Sequence, residues 1–375
     1  MRIEEIDKNF ATPQYDKNDI EWYDIKKEPF SVFGVIEEDD QFVRMPKEIA
    51  QKVNEGVLTL YSCTAGGRIR FSTDSPIIAV YADVPNMYLG SQLGEFGFDV
   101  YCDDNGKDKG FIGACPPDFF NKKVNGLVKI TGRDFEKGMH NYTVNMPLYC
   151  SASNIFIGVK KGSKVEKGLE HNNKLPIVYY GSSITQGASA SRPGMCYENI
   201  IYRKNNIDYV NLGFSGNAKG EPVMAEYIAS LKMGAFVYDY DYNAPNSEHL
   251  KATHEPFFNI IRKAYPDIPV IMISKPCTNI EDFDNKICRD IIRETYLNAK
   301  ANGDKNVYFI DGSTFFKGEY KKDCTFEYCH PTDIGFSFMA EDIYNVLKEI
   351  YNWIKLFMHF CVFMHRKCIN FHLYI

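Results

Sequence analysis

The stretch that decides the fold reads Ile177-Val178-Tyr179-Tyr180-Gly181-Ser182-Ser183-Ile184. Its first four residues form an unbroken apolar and aromatic run, typical of a strand buried on both faces of a parallel sheet. The glycine after them permits a sharp turn, and a helix starting there directs its free N–H groups at the same point. The order predicts a strand, a turn and a helix, with the Ser183 hydroxyl at the end of the strand. A serine-rich turn that only caps a helix would have the same sequence pattern.

Four further runs of this kind alternate with helical segments. The runs are Tyr209–Leu212, Ala235–Tyr238, Val270–Ile273 and Val307–Ile310. The helical segments are Met224–Leu231, His249–Ala264, Glu281–Ala301 and Asp333 to about Trp353. This alternation predicts an α/β domain with a flavodoxin-like, doubly wound sheet of five parallel strands. Ligands bind such sheets at the carboxyl ends of the strands, so the residues that follow each strand are the functional candidates.

The first half of the chain has a different pattern of short, β-branched and aromatic runs separated by turn signals. These runs are Val57–Tyr61, Arg68–Phe71, Ile77–Tyr81, Gly97–Tyr101 and Ile155–Val159. Many short strands at this spacing predict an all-β sandwich or jelly roll. Arg68–Phe71 alternates between charged and apolar residues, which indicates a sheet with one solvent-facing side.

The length of 375 residues exceeds what one hydrophobic core usually serves, so two domains are expected. We predict a β-sandwich domain over 1–165, a polar linker over 166–174 and an α/β domain over 175–354. The remaining residues, 355–375, form a tail with no place in the strand and helix scheme.

The loops after the other strands carry further candidates. Gly216 follows the second strand and could bring a backbone N–H to an anion, whereas Asn243 follows the third and could offer a side-chain amide. After the fifth strand, Glu327 and His330 lie three residues apart in Glu327-Tyr328-Cys329-His330-Pro331. A carboxylate at this spacing can orient the imidazole, whose other nitrogen can then take a proton from a serine. Each residue alone has a structural explanation as a turn or hydrogen-bonded loop residue.

Together these blocks resemble the SGNH (GDSL-like) family of serine hydrolases over roughly residues 175–353. Gly181-Ser182-Ser183-Ile184 matches the family's Gly-Asp-Ser-Leu/Ile block, with Ser182 in place of Asp. Gly216 matches the oxyanion glycine, and Asn243 alone matches the Gly-x-Asn-Asp block, whose Gly and Asp are missing. Glu327 to Pro331 matches Asp-x-x-His-Pro, with Glu for Asp. The resemblance implies a Ser183-His330-Glu327 triad and an oxyanion hole made by Ser183, Gly216 and Asn243.

An N-terminal β-sandwich before such a domain also resembles bacterial two-domain carbohydrate esterases, which remove acetyl groups from sugars. The resemblance implies a serine esterase for short acyl esters, with O-acetyl groups on a carbohydrate as the expected substrate and no cofactor or metal. Trp22, Tyr23 and Tyr88 could stack on sugar rings, although such residues more often lie in a core. Two alternatives remain open: a carbohydrate-binding protein with a degenerate hydrolase domain, and a thioesterase or phospholipase on the same scaffold.

Composition excludes several other classes of function. The net charge of −6 does not indicate the basic surface that binds nucleic acid, so a small-molecule or carbohydrate partner is expected. The acidic N-terminus lacks the apolar segment of a signal peptide, and no apolar stretch is long enough to span a bilayer, which predicts a cytoplasmic protein. The eleven cysteines, without C-x-x-C pairs, are read as reduced thiols. His359, His365 and His372 lack the spacing of a metal site. The sequence leaves the oligomeric state open.

Overall fold

Two antiparallel sheets build the first half of the chain in the computed structural model, which describes residues 17–85, 91–104, 110–130, 138–276 and 283–351. The first sheet has the order β1-β12-β6-β10-β9, formed by Ile20–Asp24, Ser153–Lys160, Ile77–Asp83, Lys123–Lys129 and Pro117–Asp118. The second has the order β13-β5-β11-β7-β8, formed by Val165–Lys167, Arg68–Thr73, His140–Asn145, Phe98–Cys102 and Gly110–Cys115. β2, Ser31–Phe33, pairs with β5, and a small hairpin joins β3, Ile36–Glu38, to β4, Gln41–Val43.

One apolar core joins the two antiparallel sheets. Ile78 and Val80 of β6 pack in the same buried cluster as Ile69 and Phe71 of β5. Alternate side chains of both sheets therefore face one another, as in a sandwich. The finer prediction of a jelly roll stays a prediction.

The second half has the predicted parallel sheet of five strands. Its order is β15-β14-β16-β17-β18, formed by Tyr209–Gly213, Ile177–Gly181, Ala235–Asp239, Val270–Ile273 and Val307–Ile310. All five strands run parallel. This is the flavodoxin-like order, and the doubly wound α/β fold is confirmed. The helices are Ser183–Gln186, Tyr197–Asn205, Pro222–Ser230, Ser247–Ala264, Phe283–Ala301 and one over 333–351.

Three local predictions for the first half are wrong. The run Val57–Tyr61 is not a strand, because a helix covers Glu55–Leu60 and the Asn54 side chain caps it by accepting the Val57 N–H at 2.8 Å. The alternation in β5 does not give a wet face, because Arg68 and Arg70 are both buried. The start of the predicted linker is also structured, since Val165–Lys167 pairs with β5. The division of the chain into domains otherwise stays a prediction.

Side chains of the first half enter the core of the second. Ala65 and Leu148 belong to the buried cluster on one face of the parallel sheet, and Met45 and Val57 belong to the cluster on the other face. The helix Glu55–Leu60 lies at this contact, where Gly56 packs directly against the Asn217 side chain. The two halves therefore share buried apolar surface. This shared surface helps to hold the loops of the parallel sheet in place.

The residues of the predicted tail, among them the three histidines considered as metal ligands, lie outside the described part of the chain. Within the described part, no helix is both long and apolar enough to cross a bilayer. The same residues contain no cluster of three or more His, Cys, Asp or Glu side chains arranged for a metal ion.

Candidate active site

The turn after β14 presents Ser183 at the carboxyl edge of the parallel sheet. β14 ends at Gly181, and Ser182 caps the short helix Ser183–Gln186 by accepting the Ile184 N–H at 3.2 Å. Only glycine fits at Gly181, because a Cβ there would lie 1.8 Å from Oδ1 of Asp239. The missing side chain at Gly181 therefore lets the Asp239 carboxylate approach the turn that carries Ser183.

The Ser183 hydroxyl meets the imidazole that the sequence predicted for it. Ser183 Oγ lies 2.7 Å from Nε2 of His330, and Nδ1 of His330 hydrogen-bonds Oε1 of Glu327. Ser183 is 8% exposed, whereas the Glu327 side chain is 49% exposed. A hydroxyl, an imidazole and a carboxylate linked in this order can activate a serine for nucleophilic attack.

A tight loop brings Glu327 back onto His330. Phe326 N–H donates to the His330 carbonyl at 2.8 Å, and Thr325 forms an isolated bridge with Pro331. Tyr328, at the tip of the loop, has a φ of 64°, which reverses the chain between carboxylate and imidazole. The added methylene of Glu relative to Asp therefore does not prevent the contact with His330.

The loops after β15 and β16 are tied to the turn that carries Ser183. Phe214 N–H donates to the Gly181 carbonyl at 2.9 Å, and Nδ2 of Asn243 donates to the Phe214 carbonyl at 2.9 Å. Gly216 has a φ of 70° and is exposed, and its N–H has no acceptor among the residues that the structure describes. The second N–H of the Asn243 amide meets no acceptor in the part of the chain that the structure describes. Through Phe214, the loops of Gly216 and Asn243 are thus hydrogen-bonded to the turn that carries Ser183.

The first half of the chain contacts the site directly. The Tyr149 hydroxyl donates to the Ser183 carbonyl at 3.2 Å and also hydrogen-bonds Ser215, and burial raises the pKa of Tyr149. Nε2 of Gln186 donates to the Leu148 carbonyl at 3.2 Å. Sequence reasoning missed Tyr149, because no local pattern signals a contact between residues so far apart in the chain.

Two buried carboxyl groups behind the site were also missed as functional residues. Asp239 ends β16 and accepts hydrogen bonds from the Thr185 hydroxyl and the Ser182 N–H, so it holds the turn that carries Ser183. Burial raises the pKa of Asp239 well above its usual value. Asp241 accepts the Lys275 N–H at 2.9 Å, and burial raises its pKa to about 6. Their position directly after a buried strand was the available signal.

Two thiols and one arginine near the site make contacts that are structural. Cys324 is buried and its thiol contacts the Tyr320 carbonyl, while Cys329 is half-buried in the loop of His330; both are free thiols. Arg192 donates to the Tyr101 hydroxyl at 3.2 Å, and its guanidinium lies 4.2 Å from the Phe111 ring centroid. Arg192 therefore packs against the first half of the chain.

The aromatic residues considered for sugar binding are split between surface and core. Trp22 is 39% exposed, with its ring 6.4 Å from the Tyr81 ring. Tyr23 packs on Phe30 at the edge of the sandwich core, at 5.9 Å between ring centroids, and Tyr88 lies outside the described residues.

Family comparisons agree with this geometry in both halves of the chain. A family described as "GDSL-like Lipase/Acylhydrolase family" matches residues 174–348. A second, described as "N-terminus of Esterase_SGNH_hydro-type", matches residues 20–165. Among curated protein sequences, no match was found.

Solved structures are similar along most of the chain. A Bacteroides ovatus protein described as a GDSL-like lipase is 27% identical with a TM-score of 0.78, and the match covers 89% of this chain and 98% of that one. The salicylyl-acyltransferase SsfX3 from a tetracycline biosynthetic pathway is 19% identical, with a TM-score of 0.70 and coverage of 87% and 96%. A family two carbohydrate esterase from Clostridium thermocellum, solved with cellohexaose, is 15% identical, with a TM-score of 0.56 and coverage of 78% and 94%. At these identities, the last two show a shared fold alone.

Proposed function

Because the chain belongs to the GDSL-like (SGNH) lipase/acylhydrolase family and is an ester-cleaving hydrolase, we propose that it is a serine esterase for short acyl groups on carbohydrate hydroxyls. The observation that carries the proposal is the 2.7 Å contact between Ser183 Oγ and His330 Nε2 at the carboxyl edge of the sheet. Ligands of doubly wound sheets bind at this edge.

Acyl transfer would begin at Ser183. His330 takes the Ser183 proton as the hydroxyl attacks the ester carbonyl, and Glu327 stabilises the imidazolium through Nδ1. His330 then protonates the departing alcohol. In the second stage, His330 deprotonates a water that attacks the acyl-enzyme, and the carboxylic acid leaves as the serine is restored.

The oxyanion of each tetrahedral intermediate would be held by the backbone N–H groups of Ser183 and Gly216 and by the Asn243 amide. Support comes from the hydrogen bonds that link the loops, since Phe214 bonds both Gly181 and Asn243. Donors fixed in advance stabilise a developing charge without reorganising during the reaction.

A carbohydrate leaving group is supported by two features. The structure solved with cellohexaose is named as a carbohydrate esterase, and it shares the fold over 78% of this chain. In this protein, Phe326 and Tyr328 flank Glu327 in the sequence and are 75% and 86% exposed. Exposed aromatic rings beside a reacting group can stack on the apolar faces of sugars.

The test compares Ser183→Ala with Ser182→Ala, its neighbour. We expect Ser183→Ala to lower kcat on p-nitrophenyl acetate and on acetylated cello-oligosaccharides by about 10³-fold or more. Ser182→Ala removes only a helix cap, so it should retain most activity and cost about 1 kcal/mol of stability. A fluorophosphonate probe should label the Ser182→Ala variant but not the Ser183→Ala variant.

The same assays separate the alternatives. A degenerate, carbohydrate-binding protein would leave the fluorophosphonate probe unreacted while still binding oligosaccharide. A thioesterase or phospholipase would prefer long acyl chains among p-nitrophenyl esters or would cleave thioesters faster. Either result would contradict the proposed short-chain carbohydrate esterase.

A further inference from the structure

We propose that Arg44, from the first half of the chain, is a positioning residue for the loop that carries Gly216. This inference rests on the proposed oxyanion role of that loop. It assigns to the first half a part in catalysis that differs from binding a carbohydrate.

The Arg44 guanidinium reaches across to the carboxyl end of β15. Nη1 donates to the Gly213 carbonyl, and Nη2 donates to the Leu60 carbonyl at 2.6 Å. The guanidinium carbon lies 4.5 Å from the centroid of the Phe214 ring, so the cation stacks on the residue that follows β15. Arg44 is only 2% exposed.

One peptide group is held at both ends by these contacts. The Gly213 carbonyl that accepts from Arg44 and the Phe214 N–H that donates to Gly181 at 2.9 Å belong to the same peptide. The next carbonyl, of Phe214, accepts from Asn243 at 2.9 Å. A donor on the Gly213 carbonyl polarises this peptide and strengthens the hydrogen bond at its other end. Arg44 thus fixes the point from which the chain continues to Gly216.

Packing alone does not account for a guanidinium at this position. Among the described residues Arg44 has no carboxylate partner within ion-pair distance, and its Nε is buried without a hydrogen-bond acceptor. Burial lowers the pKa of Arg44 to about 10, which leaves it charged at neutral pH. A buried cation without a counter-charge is costly, and an apolar side chain of similar size would avoid that cost.

Arg68 provides a matched comparison at the opposite end of β15. It is also buried and also comes from the first half of the chain. Its Nη2 donates to the Tyr209 carbonyl at 2.9 Å, and its guanidinium carbon lies 3.9 Å from the Tyr209 ring centroid. Unlike Arg44, it has a counter-charge, Asp208 Oδ1 at 2.5 Å. Tyr209 begins the strand, so Arg68 acts at the edge away from Ser183.

The experiment compares Arg44→Lys and Arg44→Met with Arg68→Lys and Arg68→Met in the full chain. The measurements are kcat and KM on p-nitrophenyl acetate, inhibition by a boronic acid that forms a tetrahedral serine adduct, and hydrogen exchange of the peptide covering 213–218. Thermal unfolding records stability. Phe214→Leu, which removes the stacked ring but keeps the guanidinium, is a second variant in case the arginine variants fold poorly.

We expect the Arg44 variants to lower kcat and boronate affinity together by about 10- to 100-fold, less than the roughly 10²- to 10³-fold loss when an oxyanion donor is removed outright, with KM changed less than twofold. Hydrogen exchange at 213–218 should become faster, and Phe214→Leu should act in the same direction. The Arg68 variants should lower stability without changing kcat, boronate affinity or exchange in that loop.

Unchanged kcat, boronate affinity and loop exchange in folded Arg44 variants would overturn the inference, as would equal losses in both pairs of arginine variants. Failure of the proposed function is distinguishable, because it would show as wild-type protein without Ser183-dependent hydrolysis. In that event loop exchange still decides whether Arg44 positions residues 213–218.

Discussion

Ser183 Oγ and His330 Nε2 are 2.7 Å apart, although 147 positions separate the two residues in the chain. The contact joins the turn after β14, the second strand in the order of the parallel sheet, to the loop before the helix over 333–351, at the sheet edge where ligands of this fold bind. Single substitutions in the loops at this edge can therefore test the role of each residue in the chemistry of the site.

Glu327 is the first such residue. Its side chain is half exposed, so water can replace part of the stabilisation that its carboxylate gives to the imidazolium of His330. We expect Glu327→Gln to lower kcat by about 10- to 100-fold, less than the roughly 10⁴-fold known for a buried triad carboxylate. Steady-state kinetics on p-nitrophenyl acetate measures this, with the exposed Glu319→Gln as control. A loss as large as that of Ser183→Ala would contradict the expectation.

Asn243 and Gly216 test the oxyanion donors separately. Asn243→Ala removes an amide donor, and we expect kcat to fall by about 10²- to 10³-fold with little change in KM. Gly216→Ala keeps the backbone N–H, and the added Cβ meets no atom within 4 Å. The expected cost is therefore only that of placing an alanine at a positive φ. That variant should lose roughly 1 kcal/mol of stability and little activity. Kinetics and thermal unfolding of both variants check this, and a larger kcat loss for Gly216→Ala would count against these roles.

Tyr328 tests the proposed carbohydrate leaving group. The ring is 86% exposed at the tip of the loop of His330. If it stacks on sugar, Tyr328→Ala should raise KM for acetylated cello-oligosaccharides by about 5-fold, since one stacking contact is worth roughly 1 kcal/mol. Hydrolysis of p-nitrophenyl acetate should be unchanged. Tyr320→Ala, at an exposed tyrosine on a neighbouring turn, is the control, and equal effects on both substrates would exclude stacking.

Long, strongly patterned elements of this fold were predictable from sequence, whereas contacts between the halves were not. The unbroken run before Gly181 identified β14 because a strand covered on both faces has no polar side. The run Val57–Tyr61 was wrongly predicted to be a strand. The Asn54 cap and packing against the second half outweigh the β propensity of its residues. The alternation in β5 wrongly predicted that Arg68 and Arg70 face solvent. The residues that cover these two side chains are distant in sequence, so no local pattern reveals them.

The residues of the candidate site also fall into those that the sequence signals and those that only the folded chain reveals. Ser183, Glu327 and His330 were predictable because local spacing and a position after a strand signal their chemistry, and the structure brings them together. Tyr149 and Arg44 carry no such signal, because only the folded chain sets them beside Ser183 and Gly213. Their roles depend on long-range packing, which residue type and spacing do not encode.

Met45 tests whether the two halves unfold together. It comes from the first half but is fully buried with Val178 and Leu212 in the core of the second. We expect Met45→Ala to lower the free energy of unfolding by about 2–5 kcal/mol, as for other large-to-small core changes. Met146→Ala, in the core between the antiparallel sheets, is the matched variant. In guanidinium unfolding followed by circular dichroism, both should shift one common transition, and two separate transitions would contradict a shared core.

Asp241 gives a pH dependence of stability whose sign follows from burial. The folded pKa of Asp241, about 6, lies above the ordinary value of 3.8 for an aspartate, so the folded state holds the proton more tightly. The contribution of Asp241 to the free energy of unfolding is therefore fully present below about pH 4 and is lost as the pH rises through 6. Between pH 5 and pH 7, this group should cost the protein about 1 kcal/mol of unfolding free energy.

Asp241→Asn should abolish this part of the pH dependence, because an amide does not titrate. Its Oδ1 is buried without a hydrogen-bond partner among the described residues, so an amide fits the position, while the other oxygen keeps the Lys275 N–H. Urea unfolding at pH 5 and pH 7 measures the difference for wild type and variant, with the exposed Asp290→Asn as control. If Asp241→Asn and wild type lose equal stability between pH 5 and pH 7, Asp241 does not titrate in this range in the folded protein.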